Sequence, residues 1–87
     1  MNKGKITAEL VDRVERRVAA MRAAGVLDGG YRLADVEKVL RYVVFTYRDG
    51  MGNAISWTMD GSGWAWCQES RKEGGARRFR PELDFRP

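Results

Sequence analysis

The residues best equipped for chemistry lie close together near the C-terminus: Arg71, Lys72, Arg77, Arg78 and Arg80, with Phe79 among them. Guanidinium forks bind phosphate or carboxylate groups through paired N–H donors, and an adjacent ring adds stacking or an apolar anchor. The chemistry implied is recognition of an acidic partner, so these six residues form the candidate partner-binding site. The charge distribution agrees. Residues 1–69 carry ten Lys/Arg against nine Asp/Glu and residues 70–87 carry six against three, so most of the net +4 sits at the C-terminal end.

Other chemistries find little purchase. Histidine is absent, which removes Ser-His-Asp, Cys-His and mixed Cys/His zinc sites. No two acids are held close by their spacing, so no catalytic residue, metal or cofactor is assigned and the chain is read as a non-enzyme. Asp49-Gly50-Met51-Gly52 and Asp60-Gly61-Ser62-Gly63 lack the following helix of a phosphate loop and the ligand pattern of an EF-hand, and read as turns. Trp57, Trp64 and Trp66 could stack bases of a single strand, but a small domain needs bulky side chains in its core, and all three are assigned to the buried face. Arg13, Arg16 and Arg17 alternate with Glu9, Asp12 and Glu15 and read as a solvated helix face. Cys67 is assigned to the outer face of the sheet and is inert. A single cysteine excludes an internal disulfide and suits a reducing cytoplasm, and no apolar run approaches the roughly twenty residues that cross a bilayer.

The elements that must position these residues follow from periodicity. Leu10, Val11, Val14, Val18 and Met21 recur at helical spacing over residues 7–24, with Thr7 as cap and Gly25 as terminator. Leu33, Val36, Val39 and Leu40 repeat that spacing and predict a second helix ending at Arg41. Val43, Phe45 and Tyr47 alternate and predict a strand over residues 42–48, although no turn residue separates it from the helix. The two Asp-Gly-x-Gly motifs then serve as hairpin turns. A five-residue loop at Asp49 sets Val43, Phe45 and Tyr47 opposite Met59, Trp57 and Ile55. In the second hairpin, pairing Met59 with Trp64 and Trp57 with Trp66 gathers every large side chain on one face. The expectation is an α+β fold: two N-terminal helices on one face of a three-stranded antiparallel β-meander. Residues 1–69 form the single domain and residues 70–87 a basic, partly extended tail outside a core that ends at Trp66. Within the tail, Arg78-Phe79-Arg80 could form a short edge strand.

In its organisation from Thr7 to Glu69, with no histidine, a helical layer over a glycine-turned meander and a charged tail, the chain resembles the small inhibitors that phages and mobile elements encode against host defences, anti-CRISPR proteins among them. The resemblance implies direct binding to a defence complex and blockage of target recognition or nuclease recruitment. The leading expectation is therefore a non-enzymatic protein-binding module. The alternatives are a nucleic-acid-binding regulatory module using the arginine cluster, and a phage structural or assembly component.

Overall fold

The computed structural model describes residues 6–87. Its elements are α1 (Ala8–Ala23), β1 (Arg32–Val39), β2 (Tyr42–Arg48), β3 (Ala54–Met59), β4 (Ala65–Ser70), β5 (Arg77–Phe79) and a 3-10 turn at Pro81–Leu83. The strands form one antiparallel sheet in chain order. The class is α+β, but among the described residues one α-helix and five strands replace the expected two helices and three strands.

In α1, Val14 and Val18 are buried and Leu10, Val11 and Met21 pack at the margin of the same stripe. Thr7 Oγ1 accepts the Leu10 N–H at 3.1 Å and caps the first turn. Gly25, at φ 77°, closes the helix. The N–H groups of Gly25 and Val26 donate back to the carbonyls of Arg22 and Met21, a Schellman arrangement that requires a left-handed residue.

The expected second helix is a strand and a hairpin tip. Leu33 and Val36 stand three apart because β1 contains a bulge: Leu33 pairs with Tyr47 and Asp35 with Thr46, which leaves Ala34 as the extra residue. Both apolar side chains then pack on the core, and the strand imitates helical spacing. Val39 pairs with Tyr42 across Leu40-Arg41, with Leu40 at φ 57°. Type II′ turns place glycine at that first central position, so this turn carries no ordinary turn signal.

The first Asp-Gly hairpin has the register its five-residue loop demands, with Val43, Phe45 and Tyr47 against Met59, Trp57 and Ile55, all buried. The second is one residue out from expectation: Met59 pairs with Ala65 and Trp57 with Cys67. The reason lies in the repeated motif, which builds the same five-residue loop twice. Asp49 Oδ1 accepts the N–H of Met51 at 2.9 Å, and Asp60 Oδ1 accepts that of Ser62 at 2.8 Å. The Asp49 N–H donates to the Asn53 carbonyl and the Asp60 N–H to the Trp64 carbonyl. Gly52 and Gly63 occupy equivalent left-handed positions, at φ 89° and 95°. Side-chain hydrogen bonds, chiefly from Asn53 to Asp49 and from Ser62 to Asp60, hold both carboxyls below their usual range.

The one-residue shift sends Ala65 and Cys67 inward and turns Trp64 and Trp66 to the opposite face. The space beside Trp57 is filled from elsewhere. Phe85 stacks on Trp57 with centroids 5.3 Å apart and planes at 20°, and Leu83 is buried with it. Residues 70–87 are therefore part of the fold rather than a tail outside it. They complete the edge of β4 residue by residue: β5 pairs with residues 68–70, Arg80 N–H donates to the Cys67 carbonyl, Asp84 Oδ1 accepts the Cys67 N–H, and Phe85 exchanges two 3.0 Å bonds with Ala65. The buried Trp57 indole N–H donates to the Leu83 carbonyl at 2.9 Å. Burying Leu83 and Phe85 stabilises the fold by about 1.5–3 kcal/mol each.

Candidate functional site

The basic cluster read from the sequence divides in two. Glu69 is 3% exposed on the inner face of β4 and draws in three of the arginines. Arg78 Nε and Arg80 Nη1 each donate to its Oε1 at 3.2 Å, and Arg71 lies 3.6 Å from its Oε2. A buried carboxylate is tolerated when paired and hydrogen-bonded, and these guanidiniums supply that compensation. Arg80 also pairs with Glu82, and that contact is the main reason the Glu82 carboxyl is held below its usual range. Lys72 lies against Gly52, and its backbone N–H donates to Asn53 Oδ1 at 3.1 Å, which ties the loop after β4 to the first Asp-Gly turn. Arg77 and Phe79 differ. They share a face of β5, paired with Ser70 and Gln68, and both are exposed.

That face is the second feature. Strict alternation in β2, β3 and β4 buries one side under α1 and leaves the other, among the described residues, without a covering layer. Its middle is polar: Thr46, Ser56, Thr58 and Gln68, with Arg48 and Arg77, line an open depression of about 390 Å³. Glu37 stands at the β1 margin and Arg77 at the β5 margin.

One end of the open face is aromatic. Tyr42 of β2 and Trp66 of β4 meet edge-to-face with centroids 6.2 Å apart, and Trp66 meets Trp64 in the same way at 6.1 Å. The rings of β2 and β4 can touch because the intervening β3 carries small polar side chains on this face, Thr58 being the partner of Trp66. An arginine bounds each end of the row: the Arg41 guanidinium lies 5.5 Å from the Tyr42 centroid and that of Arg86 lies 5.0 Å from the Trp64 centroid. Each such contact orients the cation over the ring face. The sequence reading assigned Trp64 and Trp66 to the core and so missed this row. Building both Asp-Gly-x-Gly loops with equal length would have found it.

Cys67 faces the core, not the outer surface as expected, and is fully buried. Burial pushes its thiol up to about 12, so it stays protonated near neutral pH and is no nucleophile there. Tyr47 donates to Glu15 Oε1 at 2.6 Å and links β2 to α1, its hydroxyl pushed well above the usual tyrosine value by burial and by that bond. Among the described residues, no helix is long and apolar enough to cross a membrane. Comparison with known proteins returns no matching family model, no matching curated protein and no matching solved structure.

Proposed function

We propose that the chain is a binding module for single-stranded nucleic acid, acting through the open face of its sheet. The observation that carries this reading is the Tyr42–Trp66–Trp64 row with an arginine at each end. Half-exposed rings on a sheet accept the π-faces of unpaired bases with little regard to sequence, and the cations beside them meet the phosphates. The flanking arginines oppose a cationic ligand, and rings lying on a sheet do not reach bases stacked inside a duplex.

Fluorescence anisotropy with random single strands of about twelve nucleotides, and with the corresponding duplexes, tests the reading at about 50 and 200 mM salt. Single strands should bind, duplexes should bind far more weakly, and affinity should fall steeply as salt rises. Trp66→Ala should weaken binding by about 1–3 kcal/mol, the usual value of one stacked base. No binding of any single strand at the lower salt would remove the proposal.

A protein partner, as for the small inhibitors of host defences, is the second reading, favoured by Phe79. It is 65% exposed on the free edge strand β5, beside Arg77, and edge strands accept added strands from other chains. Binding there would depend little on salt, in contrast to phosphate contacts.

A further inference from the structure

The aromatic row leads, through Arg86, to a second feature on the other side of the Asp60 turn. Between α1, that turn and the C-terminal residues lies a groove of about 240 Å³. Its floor is apolar, formed by Val14, Met59 and Phe85, and its rim carries Arg13, Arg17 and Arg86. Pro87 completes the lining, and among the described residues no acidic side chain contributes to it. Among the described residues, none of these three arginines has a carboxylate within ion-pair distance, whereas Arg16, Arg71, Arg78 and Arg80 all do. Two of the three are held in place by rings instead. Arg17 lies 4.5 Å from the centroid of the buried Phe85, and Arg86 lies 5.0 Å from that of Trp64. Ring stacking fixes the plane of a guanidinium while leaving its N–H edge free to donate. Three like charges beside one apolar groove repel one another, and a multiply charged anion among them removes that repulsion while gaining charge-assisted hydrogen bonds. Ser62, at the groove's margin, commits its hydroxyl proton to Asp60 at 2.6 Å, so the donors facing the groove are the arginines.

We propose that this groove binds a phosphate dianion, and specifically the terminal phosphate of a single strand whose bases stack on Trp64, Trp66 and Tyr42. The proposal rests on the single-strand reading above. Arg86 belongs to both features, since it covers the Trp64 ring and lines the groove, so a chain leaving the aromatic row at Trp64 reaches the groove next. A terminal monoester carries a charge near −2 at neutral pH, against −1 for an internal phosphodiester, and so gains more from three arginines.

The test compares otherwise identical oligonucleotides bearing a 5′-phosphate, a 3′-phosphate or only hydroxyl ends, with inorganic phosphate as a fourth probe, using the full chain. One terminal phosphate should tighten binding by tenfold or more. The variant Arg13→Gln, at an exposed helix position, and the double variant Arg13→Gln/Arg17→Gln should progressively erase that preference. Arg32→Gln removes the same charge outside the groove and should retain it. Thermal melting of each variant establishes that it is folded, and Arg13→Gln keeps the test decisive if loss of the Arg17–Phe85 contact unfolds the double variant. Equal affinity for phosphorylated and hydroxyl-ended strands would overturn the groove assignment while leaving the single-strand reading standing. Binding of inorganic phosphate with no added affinity for any oligonucleotide would overturn the terminal-phosphate assignment and the single-strand reading together. Equal loss of preference in Arg32→Gln would reduce the effect to general attraction and also overturn the site.

Discussion

Leu40 is 85% exposed and holds φ 57°, a combination that gives neither burial nor backbone comfort. A left-handed L-residue costs about 1–2 kcal/mol, and glycine relieves that strain while adding some freedom to the unfolded chain. Leu40→Gly should therefore raise stability by about 0.5–1 kcal/mol, read as a higher urea midpoint at unchanged slope. A lower midpoint would mean that the exposed side chain stabilises the hairpin by packing. Glu69 presents the opposite case, a buried charge whose three arginine partners looked from the sequence like a free basic surface. An acid nine residues before Arg78 and eleven before Arg80, yet adjacent to both across a strand pair, is invisible to a linear count of charges. Of the predicted site, Arg77 and Phe79 share the open face, and Arg77, like Lys72, has no carboxylate within ion-pair distance among the described residues.

At the scale of elements, the C-terminal segment is a structural closure. Leu83→Ala should cost about 2–5 kcal/mol, measured by equilibrium unfolding. Ending the chain after Arg80 should unfold it, visible as collapsed amide dispersion in an NMR spectrum. That truncation removes two core side chains and leaves the Trp57 indole N–H without its acceptor, losses comparable to the whole stability of about 5–15 kcal/mol of a small domain. A folded truncated chain would contradict this assignment. The sequence was informative wherever a regular period met a recognisable cap or turn: α1 with Thr7 and Gly25, and β2 to β3 across Asp49. It misled where a defect imitated another period, as at the Ala34 bulge, and where a turn used Leu-Arg in place of glycine. It also misled at β4, where fitting every tryptophan into one face overrode the repeat of the loop motif. The space for Trp66 in the core had been taken by Phe85, a contact from twenty-eight residues beyond Trp57 that no local pattern announces.

For the whole molecule, the titrating groups predict a stability profile with two limbs. Asp49 and Asp60 are held below their ordinary values by the turns, so their contribution is present above about pH 4 and is lost as pH falls through the depressed folded values. Cys67 is pushed up to about 12 in the fold. The unfolded thiol ionises from about pH 8.5, so stability declines from there toward the folded value, at no more than about 1.4 kcal/mol per pH unit for this one group. Urea midpoints across this range check both limbs, and Cys67→Ala should flatten the alkaline one. An alkaline limb unchanged in that variant would assign it to the tyrosines instead. Such separation of roles runs through the molecule: the buried face and the hairpin turns carry stability and its pH dependence, while the open face and its adjoining groove are left for the recognition we propose.

Closure by residues 83–85 also has a consequence for biosynthesis. The hairpins can zip in order as they emerge, each strand pairing with the one before it. The core, however, still lacks Leu83 and Phe85 when β1 to β4 have already paired. Until those residues dock, Trp57 and the edge of β4 stay open to chaperones and to neighbouring chains, so the last segment to arrive decides how long the young fold is vulnerable.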